Sequence, residues 1–175
     1  SLVANTYEAL GPGNFPMIIE TLSDNATRTA KNVKLILKEK GGRSAPVAYA
    51  FRKIGKIVIR PREGADFEQV YDDVIESGAE ELEGELNEED PAQTEFEITT
   101  SPSTLSAVQT SLSSPPQEHI ILESGFEYIP ADLDAPLPEL NQEDEEQVEK
   151  LCKALSEDPD VDVVWTLRGR WEEEE

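Results

Sequence analysis

The sequence predicts an α+β chain of two ferredoxin-like αβ sandwich domains, the second inserted into the first. Short apolar runs alternate with amphipathic helical segments, so each sheet acquires a helical cover. Residues 130–140 hold three prolines and read as an extended connection between units. A last helix and strand then supply what the opening unit lacks for a β-α-β-β-α-β sandwich. The expected domains are residues 1–62 together with 137–175, a basic domain, and an acidic α/β domain over residues 63–136.

The first landmark is Gly11-Pro12-Gly13-Asn14, a turn in which glycine supplies unusual backbone angles and Pro12 fixes its own. Phe15 to Leu22 follows as a strand, with Pro16 near its start, where a missing donor is tolerated. Asp24 or Asn25 caps a helix that runs to about Lys40 and stops at Gly41-Gly42. Ala30, Val33, Ile36 and Leu37 share its apolar face, and Arg28, Lys31, Lys34 and Lys38 form a stripe on another. Pro46 to Arg52 and Lys56 to Arg60 are expected as a hairpin turning at Ile54-Gly55, with Val47, Tyr49 and Phe51 directed to the core.

A helix from about Asp66 to Glu76 opens the acidic half, with Phe67, Val70, Tyr71 and Val74 as its buried stripe. Glu81 to Leu86 and Thr94 to Thr100 flank an acidic loop as a second hairpin. Ser101 or Ser103 starts another helix, which buries Leu105, Val108 and Leu112 and stops at Ser114-Pro115-Pro116. Ile120 to Ile129 reads as a strand interrupted by Gly125. In the last helix Val148, Leu151, Cys152 and Leu155 take the i, i+3, i+4, i+7 positions. Asp160 to Arg168 is the closing strand, and residues 171–175 form a mobile end.

Charge is segregated along this sequence. Residues 1–62 hold 11 basic and 4 acidic side chains, whereas residues 63–175 hold 4 and 34, within a formal charge of -23. A basic island in an acidic chain points to two surfaces with different partners. Lysine and arginine neutralise phosphates and release condensed counterions, so the island is the expected nucleic-acid contact. Its members are Arg28, Lys31, Lys34, Lys38, Arg43, Arg52, Lys53, Lys56 and Arg60, continuing to Arg62. The acidic half repels a nucleic-acid backbone and is expected either to be solvated or to meet a basic protein surface.

Other chemistries find little support. Asp158, Asp160 and Asp162 have the opening spacing of a calcium loop, but Val163 stands where glycine is required, so they read as a strand-entry turn. His119 lacks a metal-binding neighbour in sequence and is expected in an exposed loop, and Cys152 is expected to be packing. No phosphate loop, zinc-protease pair, nucleophile elbow or dinucleotide fingerprint occurs, so no enzyme, cofactor or metal is expected. No run approaches the ~20 apolar residues of a bilayer span, and no membrane insertion is expected.

Tyr7-Glu8-Ala9-Leu10-Gly11-Pro12-Gly13, Ser23-Asp24-Asn25 with Arg28-Thr29, Gly41-Gly42, and Val47-Ala48-Tyr49-Ala50-Phe51 with Gly55 resemble the signature stretch of the YebC family. Glu76-Ser77-Gly78-Ala79-Glu80, Ile129-Pro130 and the Leu155 to Val164 ending extend the likeness over nearly the whole chain. The family includes bacterial proteins labelled transcriptional regulators and the mitochondrial translational activator of cytochrome c oxidase subunit 1. The resemblance implies an N-terminal basic helical bundle followed by two α/β domains, of which this chain holds the latter two. It also implies a role in gene expression. The expectation is a non-enzymatic translational activator that meets the ribosome and rRNA through the basic surface and basic ribosomal proteins through the acidic domain; the alternative is a DNA-binding transcriptional regulator. Asn14, Ala26-Thr27 and the short segment between Gly42 and Val47 depart from the family pattern. The acidic segments and the Glu172 to Glu175 tail point to a mitochondrial-matrix member.

Overall fold

The computed structural model describes residues 1–174 as two units: residues 1–52 with 128–174, and residues 53–127 between them. The chain thus crosses between units at Arg52/Lys53 and Glu127/Tyr128, where the sequence placed the joins at 62 and 136. The α+β class is as expected, with helices over two antiparallel sheets.

The first unit opens with a strand that the sequence did not announce. β1 (Val3–Gly11) pairs with β2 (Phe15–Ser23) from Val3↔Ser23 to Gly11↔Phe15, across the predicted turn. Its inward positions are Asn5, Tyr7, Ala9 and Gly11. Only Tyr7 among them is a large side chain packed on the core, too little for an apolar alternation, and pairing with β2 makes the strand. β2 carries Phe15, Met17, Ile18 and Ile19, all buried, and sits centrally in the order β3-β1-β2-β8-β9. The other strands are β3 (Arg43–Ser44), β8 (Val161–Thr166) and the short β9 (Gly169–Arg170).

Helices α1 (Ala26–Glu39) and α4 (Gln142–Ser156) pack against each other and on this sheet. Val33 and Leu37 of α1 and Val148, Leu151, Cys152 and Leu155 of α4 meet Phe15, Met17 and Ile19 in one core. The element path is therefore strand, strand, helix, strand, then helix, strand, strand after the insertion. The β-α-β-β path expected for the opening unit is corrected by the missed β1 and by the next element.

That element is β4 (Phe51–Arg60), a single strand where the sequence predicts a hairpin. Gly55 is not a turn. It pairs with Thr100, and a Cβ there would lie 2.2 Å from Thr100 Oγ1 and 3.1 Å from Leu105, so glycine makes room for neighbours. In the second unit β5 (Glu81–Glu83), β6 (Phe96–Thr100), β4 and β7 (Ile120–Pro130) lie in the order β5-β6-β4-β7. β7 passes through Gly125 without interruption. α2 (Phe67–Glu76) and α3 (Leu105–Ser113) supply Val70, Val74, Leu105, Val108 and Leu112 to a core with Ile57, Ile59, Phe96 and Ile98. Asp66 and Gln69 close a reciprocal capping box at the start of α2.

Two side-chain expectations change. Phe67 and Tyr71 remain 47% exposed, because Val70 and Val74 define the buried line of α2 and the two aromatics flank it. Trp171 belongs to the fold: its backbone N–H donates to Val164 O at 2.8 Å, and its ring packs on the first core. Glu175, the last of the expected mobile end, lies outside the described residues.

Candidate nucleic-acid interface

The basic residues fall on both units. Arg28, Lys31, Lys34, Lys38, Arg43 and Arg52 belong to the first, and Lys53, Lys56, Arg60 and Arg62 to the second. Their surroundings divide them into cations already engaged and cations available to a ligand.

On α1, Lys31, Lys34 and Lys38 stand exposed at i, i+3 and i+7, opposite the buried line of Thr29, Val33 and Leu37. Among the described residues none of the three takes part in an ion pair. The face is held in place from the opposite side of the helix. Asn25 caps the first turn by accepting from Arg28 N at 3.0 Å, and Leu37 is locked in the core.

Arg28 does not belong to this free row. Its guanidinium donates to Asp160 from Nε at 3.2 Å and from Nη2 at 3.0 Å, and to Asp24 at 2.9 Å. Thr29 Oγ1 donates to the same Asp160 carboxylate at 2.9 Å. The Thr29 hydroxyl and then Arg28 hold the Asp160 carboxyl below the ordinary range, and Asp160 in turn raises Arg28. Asp160 is thus the anchor of α1, and its oxygens already have partners. Asp158 accepts from the Asp160 N–H at 2.9 Å, the strand-entry turn read from the sequence. Arg43 donates to Asn14 Oδ1 at 3.0 Å from an exposed position.

The cations of the second unit are more committed. Lys56 Nζ lies 3.4 Å from Glu97 and 3.7 Å from Glu127. Lys53 Nζ sits 4.6 Å over the Phe126 ring. Arg60 lines a cleft of about 500 Å³, and its Nε is buried without a hydrogen-bond partner among the described residues. Arg62 donates to Asp73 at 2.8 Å and to the Gln117 carbonyl at 3.1 Å.

His119, expected on the surface, is 3% exposed. Its Nδ1 accepts from Arg62 N at 3.1 Å and its Nε2 lies 2.8 Å from Asp73 Oδ2, so it bridges the end of β4 to α2. Sequence spacing alone could not show a partner 46 residues away. Cys152 is buried as expected, and burial with nearby Glu149 pushes its thiol up to about 12, which leaves no thiolate at neutral pH. Among the described residues no group of three His, Cys, Asp or Glu could hold a metal ion, and no helix is long and apolar enough to cross a membrane.

In the first unit the sequence missed an exposed aromatic. Tyr49, expected in the core, is 75% exposed. Residues Ala48–Ala50 form a single 3₁₀ turn, which rotates Tyr49 outward between buried Val47 and Phe51. Pro46 just before the turn was the available signal that the alternating run was not a regular strand.

Comparison with known proteins adds kinship to this geometry. A family model described as the TACO1/YebC second and third domain matches residues 2–166. A probable transcriptional regulatory protein of Clostridioides difficile is 34% identical over 176 residues, spanning 96% of this chain and 65% of the relative. A similarly named protein of Listeria monocytogenes is 31% identical, with 92% and 63% covered. This chain therefore spans just under two thirds of the length of these relatives. A conserved hypothetical protein from Aquifex aeolicus shares the fold, with a TM-score of 0.64 at 24% identity over 94% of this chain and 64% of that one.

Proposed function

Because this chain belongs to the TACO1/YebC family, we propose that it is part of a non-enzymatic translational activator that associates with the ribosome and grips rRNA through α1. The carrying observation is the exposed row of Lys31, Lys34 and Lys38, without an ion pair among the described residues, on a helix whose other face is fixed in the core. Three lysines at helical spacing follow a phosphate backbone, which gives attachment without base reading. The acidic second unit takes the opposite role and meets basic ribosomal protein. The factor acts by position, holding a productive arrangement on the ribosome rather than performing chemistry. The named relatives are bacterial, and the reading needs a ribosome of bacterial type, which the mitochondrial matrix, the proposed compartment, also holds.

A second reading follows from the printed names of the relatives, probable transcriptional regulatory proteins: the same lysines hold duplex DNA. The net charge of -23 opposes tight duplex binding, and on α1 the one arginine, Arg28, is already engaged by Asp160 and Asp24, which leaves Asn32 beside the lysines for reading base edges. Sedimentation with ribosomes, before and after nuclease treatment, separates the two. Lys34→Glu with Lys38→Glu is expected to reduce co-sedimentation at least 10-fold. Unchanged co-sedimentation removes α1 from the contact, and retention of a specific duplex at physiological salt promotes the DNA reading.

A further inference from the structure

The outer side of α2 carries two parallel ridges. Phe67, Tyr71 and Ile75, spaced i, i+4, i+8, are 47%, 47% and 51% exposed. Glu68, Asp72 and Glu76 repeat the spacing one residue on, all exposed, and among the described residues none of the three is paired with a cation. Aromatic and aliphatic side chains half open to water on a charged helix are uncommon, and together they expose on the order of 300 Å² of apolar surface, a size associated with interaction sites.

We infer that this face of α2 is a docking surface for a cationic amphipathic helix of a protein partner. The inference rests on the proposed role of the acidic unit and specifies where and how it meets protein. Charge complementarity selects the occupant: the second unit holds 18 acidic and 4 basic side chains, and an acidic ridge beside an apolar one matches a helix with leucine-like residues on one line and lysine or arginine on the next. The same carboxylates repel phosphate, so neither RNA nor an anionic membrane fits here.

The apolar ridge is pre-formed. The Phe67 and Tyr71 rings stack with centroids 6.2 Å apart at 29°, and Phe67 rests 6.0 Å from the buried Phe96 ring. Little ordering cost remains for binding to offset. Eight residues of helix span ~12 Å, so about three turns of partner cover the ridge. A contact of that size falls below the standard interface and belongs to the transient class, with a Kd on the order of 10 μM.

The test is fluorescence anisotropy of the 175-residue chain with a labelled synthetic 14-residue peptide carrying leucines along one helical face and lysines along the next. A scrambled peptide of the same composition and a labelled single-stranded RNA oligonucleotide complete the set. The amphipathic peptide is expected to bind at least 10-fold tighter than the scrambled one. Tyr71→Ser with Ile75→Ser, both at half-exposed positions, weakens it at least 10-fold in a chain that circular dichroism still shows folded at the assay temperature, and Glu68→Lys with Asp72→Lys and Glu76→Lys does the same. Equal binding of the scrambled peptide, unchanged binding by the Tyr71/Ile75 variant, or RNA binding lost in that variant overturns the inference. Lys34→Glu with Lys38→Glu leaves peptide binding intact, so failure of the rRNA contact and failure of this surface give different results.

Discussion

Asp160 holds the N-terminus of the basic helix through Arg28 and Thr29, which places its role at the level of a single carboxylate. Its ionised form is favoured in the fold, so this contribution is present above the ordinary carboxylate range and is lost as pH falls through its lowered folded value. Asp160→Asn is expected to lower the thermal midpoint at neutral pH, and the difference from the parent is expected to vanish in acid, where Asp160 is itself protonated. A midpoint difference that stays constant with pH defeats the assignment. The sequence showed this residue only as part of an acidic turn, because its partners lie 132 and 131 positions away. For the same reason Arg28 read as one more member of a charged stripe. Lys31, Lys34 and Lys38 were legible because helical spacing alone puts them on one face.

Gly55 shows the corresponding limit among elements. A glycine in an apolar run reads as a break, yet here it lies mid-strand, close under Thr100 and Leu105. Gly55→Ala is expected to destabilise the second unit by about 1–3 kcal/mol, since strand and helix must separate to admit a methyl group. Chemical denaturation that shows no loss would mean that Thr100 and Leu105 shift freely. Helices α1, α2 and α4 were each legible from a 3.6-residue period, and α1 from its cap as well, since those signals are local. β1 was not, because a strand of small and polar residues is made by its neighbour β2. Tyr49 was misplaced for a related reason: a 3₁₀ turn and a strand share the same residues in this short run, and only tertiary anchoring by Val47 and Phe51 decides between them.

On the scale of the molecule, charge that is segregated along the sequence does not segregate by unit. The first unit holds 11 basic and 20 acidic side chains, net -9, and the second is net -14. The expected basic domain is thus a basic helix face on an acidic body: residues 137–175, assigned to that domain from the sequence, themselves carry 14 acidic and 4 basic side chains. On the proposed reading, attachment to nucleic acid then depends on few cations. Three phosphate contacts give a slope of about -2 in log affinity against log salt, a loss of roughly 20-fold between 50 and 200 mM. A filter-binding titration of rRNA fragments checks this; a slope twice as steep would bring further cations into the contact and displace the three-lysine account.

β4 and β7, which carry the chain out to the second unit and back, are neighbours in its sheet. The exit and re-entry points of the host are therefore bridged by a side-by-side pair of strands, and loop-closure entropy changes only slowly with whatever length lies beyond them. Lengthening or shortening the intervening cassette is therefore expected to cost the host sheet little, because its own strand pairing lies outside the inserted segment.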